Sequence, residues 1–306
     1  FYNASINIPA LDIRPEVNRA SYFIVDGISA ISKYGKGLHF VPRYEAQTHN
    51  LISITNSYVQ VGDQVTGTDA SRSGAIVLAP SAVGMTMKNL VMNNVNVYST
   101  TANTSGQLYA LLNTVYDSYS LFENGQISNC NFIAAHAGIY AFYMPLKSGT
   151  NISFLNCLFE SQNTYSYNSG TGQGAAGETS GTSVANIDFV NCTFDCGNQN
   201  SSYRIRTDGV LNFTGGKVRN SIGQGLEYGV TVSSSSYVQN QGLEFVNVSG
   251  GTGYALSATN VTSYAFLSEL GNRTLYSTTV PTIGTWKIGD RCFNSTPSSG
   301  SPKSWA

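Results

Sequence analysis

The chain has 306 residues and a formal charge of −1, and only 11% of its residues are charged, against roughly 25% in an ordinary soluble domain. That length suits one elongated domain or two compact ones, and the absence of a basic stripe excludes nucleic-acid binding by counterion release. No apolar run approaches the roughly 18–20 residues that cross a bilayer, so no membrane partner is expected. Gly (31) and Tyr (19) are plentiful. A polar, uncharged, aromatic surface suits carbohydrate, whose hydroxyls need amide and hydroxyl partners and whose ring faces stack on tyrosine. It equally suits the exposed β-face of a long-lived extracellular protein.

Taken from the first residue, Phe1-Tyr-Asn-Ala-Ser has neither the basic start nor the apolar segment of a signal peptide, and the missing Met suggests a fragment or processed product. Residues 1–75 hold apolar runs such as Tyr22–Val25 and Leu51–Ile54 between turn residues, read as first coils or an N-terminal cap. From about Ile76 to Leu256 a short strand pattern returns. Its copies are Met92–Val97, Ile127–Phe132, Phe154–Phe159 and Phe189–Phe194, with weaker ones at Phe213–Val218 and Phe245–Ser249. Marked by Asn94, Asn129, Asn156, Asn191, Gly215 and Asn247, the steps are 35, 27, 35, 24 and 32 residues. A short strand repeating at that interval predicts a solenoid, in which each turn buries its apolar face by stacking on the next. No 3.6-residue periodicity competes with it. The recurring asparagines are explained by structure, since stacked amides hydrogen-bond from coil to coil.

Five cysteines are too odd a number for a complete disulfide framework. Cys130, Cys157 and Cys192 hold the same place in successive copies, which predicts an inward column of reduced thiols and folding in a reducing cytoplasm. Cys196 and Cys292 fit no zinc pattern, and no cofactor or metal is expected. The long tract from Asn163 to Ser183 contains Tyr165, Tyr167 and a Gly-rich run with no helix after it, so it is no phosphate loop. It is either a plain surface loop or an insertion on a binding face.

Beyond residue 262 the pattern changes. The stretch Gly284-Thr-Trp-Lys-Ile-Gly-Asp-Arg-Cys-Phe-Asn-Ser-Thr-Pro, continuing to Gly300-Ser-Pro-Lys-Ser-Trp, resembles the C-terminal segment of phage tailspike and tail-fibre proteins and of related pectate-lyase-like proteins. The Asn-Cys-x-Phe copies are similar, more loosely, to the right-handed parallel β-helix of that superfamily. The resemblance implies an all-β fold: first coils or a cap over 1–75, a right-handed parallel β-helix over 76–261, and a small C-terminal β/loop extension over 262–306. It further implies a homotrimer, joined to the rest of a phage tail through an N-terminal part that this chain does not show. Its activity would be to bind and depolymerise bacterial surface polysaccharide by hydrolysis, in an extracellular setting on the virion tail. In relatives the tail runs on past the Trp, so the chain is expected to be cut at both ends.

No fixed motif marks the carboxylates of such proteins, so candidates come from position. The residue after each strand copy is Tyr98, Ile133, Glu160, Asp195 and Arg219. In register these form one outward column rising about 4.8 Å per coil, which sets Glu160 and Asp195 near the separation of about 5–5.5 Å used by retaining glycosidases. Glu160 and Asp195 are therefore the candidate acid and base or nucleophile, and Arg219 a group to hold the ionised member or an acidic sugar. A stacked surface charge ladder is the alternative. His136, with Tyr140 and Tyr143 nearby, is either a packed residue or the base of a polysaccharide lyase. Tyr140, Tyr165 and Tyr167 are candidate sugar-stacking residues. Arg204, Arg206 and Asp208 form a salt-bridged strand face or an anionic-glycan site, and Asp117 and Glu123 are spare acids. The thin spread of acids argues against a calcium-dependent pectate lyase. A non-catalytic receptor-binding fibre domain and a structural shaft are the remaining readings.

Overall fold

The computed structural model describes residues 1–3, 9–14, 21–34, 36–41, 48–63, 74–78, 86–100, 109–113, 122–134, 139–143, 146–161, 178–179, 185–196, 204–205, 209–219, 237–241, 244–246, 264–267, 273–277, 291–294, 298–300 and 303–305. Over these the protein is all-β, with no helix, and its strands pair overwhelmingly in parallel. One sheet carries 19 of the described strands and a second carries seven.

Each repeat contributes a leading segment, a corner and a trailing segment to the larger sheet. The leading segments include Ser21–Asp26, Phe122–Ser128, Leu146–Leu155, Ala185–Val190, Gly209–Thr214 and Tyr237–Gln241. Trailing segments include Ser29–Tyr34, Asn131–Ala134, Leu158–Ser161, Thr193–Cys196, Lys217–Arg219 and Glu244–Val246. Thr48–Asp63 and Thr86–Ser99 run through their corners as continuous strands. Each segment pairs in parallel with its counterpart one repeat on, as in Phe154 opposite Phe189 and Phe159 opposite Phe194. The chain then visits the smaller sheet, through Lys36–Phe40, Gly74–Leu78, Tyr109–Asn113 and Ile139–Tyr143, before returning. A parallel neighbour needs such a crossover, because no tight hairpin can join parallel strands.

The corner residue explains the recurring asparagine. Asn56, Asn94, Asn129, Asn156 and Asn191 have φ between 49° and 56°, and Gly27 and Gly215 take the same place at 64° and 62°. Few side chains other than Asn tolerate this left-handed conformation. The amides also join repeats: Asn94 Nδ2 donates to Asn56 Oδ1 at 3.0 Å and Asn156 Nδ2 to Asn129 Oδ1 at 3.4 Å. Asn56 Nδ2 donates to Asp26, whose carboxyl also accepts from Thr55 Oγ1 at 2.6 Å. These two bonds, Thr55 foremost, hold Asp26 below the usual carboxylate range.

After each corner from Asn56 onward a small residue turns inward. Cys130, Cys157 and Cys192 are buried and unbridged, as their spacing predicts, and Ser57 and Val95 fill the same place in earlier repeats. The hydroxyl or thiol donates to the carbonyl two residues back: Ser57 to Thr55 at 2.6 Å, Cys130 to Ser128 at 3.1 Å, Cys157 to Leu155 at 3.4 Å. Flanking these, phenyl rings stack repeat upon repeat. Phe132, Phe159 and Phe194 form one column, with centroids 5.6 and 5.1 Å apart, and Phe154, Phe189 and Phe213 a second, at 5.0 and 5.2 Å. The columns meet edge-on across the corner, as in Phe189 and Phe194 at 5.0 Å and 75°, a favoured aromatic geometry.

The larger sheet continues without a break from Ser21–Asp26 through Thr48–Asp63 to Thr86–Ser99, so the strands described between residues 21 and 63 share the repeat, in keeping with the first of the two readings of this region. One expectation needs adjustment. Phe245 stands opposite Val218, and Glu244 opposite Lys217, so Glu244–Val246 is a trailing segment. The copy marked by Asn247 is thus one half-repeat out of phase. Its leading segment is Tyr237–Gln241, where the polar sequence hides the strand. Past it, Tyr264–Leu267 pairs in parallel with Tyr237–Gln241 and antiparallel with Arg273–Ser277. Arg291–Asn294 and Ser304–Trp305 add a further antiparallel pair.

Candidate functional site

Strand alternation puts the residue after each inward phenylalanine of a trailing segment on the outer side. Backbone pairing then sets Tyr98 opposite Ile133, Ile133 opposite Glu160, Glu160 opposite Asp195 and Asp195 opposite Arg219. The column read from the spacing is therefore present in that register. It also extends further back, through Gln60 and Ile31. Adjacent parallel strands bring these Cα positions within about 5 Å of one another.

The side chains within the column differ in access. Glu160 is half-buried, and the Arg219 side chain is 41% exposed. Asp195 is 1% exposed, although the strand directs it away from the phenylalanine core. The Arg219 side chain one repeat on lies against it, with Nε donating to Oδ2 at 2.6 Å. The expected column of two carboxyls open to solvent is thus corrected at Asp195. A molecule approaching this face meets Glu160 and the guanidinium of Arg219 first.

A second column, two residues nearer the corner, runs beside the first and was not singled out from the sequence. Tyr58 stands opposite Asn96 and Asn96 opposite Asn131; further on, Thr193 stands opposite Lys217 and Lys217 opposite Glu244. Asn131 Nδ2 donates to Asn96 Oδ1 at 2.7 Å, and the Tyr58 hydroxyl donates to Gln60 Oε1 at 2.6 Å. Burial, with Tyr98 nearby, pushes the Tyr58 phenol up. The two columns make a face that is aromatic and amide-rich over Tyr58, Gln60, Asn96 and Tyr98. It becomes charged over Glu160, Asp195, Lys217 and Arg219. Simple alternation, applied two residues before each strand end, would have found the second column.

Among the described residues, the remaining candidates Tyr140, Arg204 and Glu123 lie away from this face. The Tyr140 backbone lies in Ile139–Tyr143 of the smaller sheet, opposite Ala110. Arg204 also lies on that sheet, opposite Glu178. Glu123 is half-buried on a leading segment. His136, Tyr165, Tyr167, Asp117, Arg206 and Asp208 lie outside the described residues. Among the described residues, no group of three His, Cys, Asp or Glu is placed to hold a metal ion. No helix among them is long and apolar enough to cross a membrane. Compared with protein-family models, curated proteins and solved structures, the chain matches none.

Proposed function

We propose that the chain is a right-handed parallel β-helix of the tailspike kind that binds bacterial surface polysaccharide, O-antigen or capsule, and cleaves it by endo-glycosidic hydrolysis. In this reading it is a homotrimer on a phage virion tail, folded in the host cytoplasm and acting outside the cell. Parallel pairing at every repeat supports the fold, and the tail-like segment from Gly284 to Trp305 supports the setting. The observation that carries the activity is the register of Glu160, Asp195 and Arg219 on one face. Cα positions about 5 Å apart on adjacent strands allow two carboxyls to approach the separation of about 5–5.5 Å used by a retaining pair. Glu160 protonates the leaving glycosidic oxygen as Asp195, once Arg219 turns from it to the sugar, attacks the anomeric carbon; water then displaces Asp195 from the glycosyl-enzyme and gives its proton back to Glu160.

Binding without cleavage is a second reading, and the burial of Asp195 under Arg219 favours it, because it leaves the column one reachable carboxyl. Incubation with a panel of bacterial surface polysaccharides, followed by mass spectrometry, separates the readings. Fragments carrying an added water support hydrolysis, and Glu160→Gln and Asp195→Asn should then abolish release while retaining binding. Fragments with a new double bond indicate a lyase and direct attention to His136. Saturable binding without fragments leaves a receptor-binding domain, and neither binding nor fragments leaves a shaft.

A further inference from the structure

Two histidines of the early repeats occupy places shaped like those of core apolar residues. His39 lies on Lys36–Phe40, opposite Asp12 on one side and Val77 on the other, and is 4% exposed. Its ring hydrogen-bonds the Gly74 backbone, while Nε2 has no hydrogen-bond partner among the described residues. His49, at the start of Thr48–Asp63, is fully buried opposite Ser21 and Met87. The ring of Phe40 meets His49 edge-on at 5.2 Å and stacks on Phe23 at 4.3 Å. Phe40 thereby ties the smaller sheet to the larger one beside the His49 imidazole.

A proton on the His39 ring would be poorly received. The charged groups facing His39 are Asp12 and Arg14 from one strand and Lys36 from its own. Asp12 is already gripped at both oxygens by Arg14, with Nη2–Oδ2 at 2.6 Å and Nε–Oδ1 at 2.8 Å. Arg14 and Lys36 oppose a second cation, and Gly74–Leu78 brings no titratable side chain. Burial accordingly pushes His39 down to about 3, and it pushes His49 down as well.

We propose that the strands Ser21–Asp26, Ser29–Tyr34, Lys36–Phe40 and Thr48–Asp63 form an acid-opened segment: proton uptake by His39 and His49 detaches the early repeats while the phenylalanine-stacked repeats stay closed. In an opened chain each imidazole protonates near its ordinary value of about 6.5. The closed His39 stays neutral down to about 3. Between these values the open form holds the extra proton, so the stability of the closed form falls as pH falls through this window and is constant above it. Each histidine steepens the opening constant by up to about tenfold per pH unit.

The test is hydrogen exchange of the full chain by mass spectrometry at about pH 7.5 and about pH 5, corrected for intrinsic exchange rates. Peptides from 21–63 should lose protection in acid, with an opening constant that rises by more than about tenfold per pH unit where both rings titrate. Peptides from 151–161 and 185–196 should keep their protection. His39→Leu should remove about a tenfold-per-unit share of that slope. Equal protection at both pH values, uniform loss along the chain, or an unchanged slope in His39→Leu would overturn the proposal. Should that variant fail to fold, exchange at the histidine C2–H position in the unaltered chain reads each ring directly. A neutral native His39 down to about pH 5 supports the proposal, whereas native titration near about 6.5 refutes it.

Discussion

Asp195 and Arg219 differ in what each can do when the other is removed. The Arg219 side chain is 41% exposed and can turn to water, but that of Asp195 is 2% exposed and cannot. Arg219→Met therefore leaves a buried carboxylate without its guanidinium and should cost about 2–3 kcal/mol. Asp195→Ala should cost nearer about 1 kcal/mol, because the surviving charge is solvated. Urea unfolding of the two variants reads the difference, and equal losses would mean that the Arg219 stem contributes through packing instead. A similar contrast holds between neighbouring glycines. A Cβ on Gly216 would stand 2.3 Å from the Cys192 carbonyl oxygen, at φ +83°. Gly216→Ala should cost about 2–3 kcal/mol. Gly215 has φ +62°, and its Cβ would meet only the movable amide end of Asn191. Asparagine holds this conformation in five other corners. Gly215→Asn should thus be neutral, or stabilise by about 0.5 kcal/mol through the unfolded chain, a shift measurable as a higher urea midpoint.

At the scale of the element, the corner decides both what can be exchanged and what could be read. The position after the corner holds Ile28 in the earliest repeat and the smaller Ser57, Val95, Cys130, Cys157, Cys192 or Gly216 from Asn56 onward. Cys157→Ser keeps a donor for the Leu155 carbonyl and should cost no more than about 1 kcal/mol. Cys157→Leu overfills the bend and should cost about 1–3 kcal/mol, which thermal unfolding would resolve. Where the motif is flanked by Cys and Phe, sequence alone located the strands, the corners and the register of Glu160 on Asp195. Corners at Gly27 and Asn56 escaped because Ile28 and Ser57 replace the cysteine that made the later copies recognisable. Phe245 misled because an apolar-any-Asn triplet fits a trailing segment as well as a leading one. The smaller sheet was hidden for another reason. Gly74–Leu78 is buried on both faces and reads as an unbroken apolar run, without the alternation that betrays a half-exposed strand. Burial of Asp195 was beyond pattern reading altogether, since it depends on where the Arg219 side chain comes to rest.

Across the whole molecule, stability is laid down between neighbours. The two columns that carry the phenyl rings are aliphatic in the early repeats, with Val25, Ile54 and Met92 in one and Val59 and Val97 in the other, and become phenylalanine from Phe132 to Phe213. Each ring touches mainly the repeat before and the repeat after, which makes the stack resemble a one-dimensional array with nearest-neighbour coupling. Phe159 stands at its centre, within 5.1–6.2 Å of Phe132, Phe154, Phe189 and Phe194. Phe159→Ala should cost about 3–5 kcal/mol locally. The buried thiols report where that loss is felt. A hydrogen bond with Cys157, together with burial, pushes the Cys130 thiol up, and all three thiols are shut off from solvent, so alkylation of the native column waits for opening. In Phe159→Ala, residue-resolved alkylation should accelerate most at Cys157 and to a lesser degree at Cys130 and Cys192, one repeat away on either side. Cys292, buried on Arg291–Asn294 beyond the stack, should keep its original rate. Equal acceleration at all four thiols would instead show a single cooperative unit, in which a lost ring contact is shared by the entire chain.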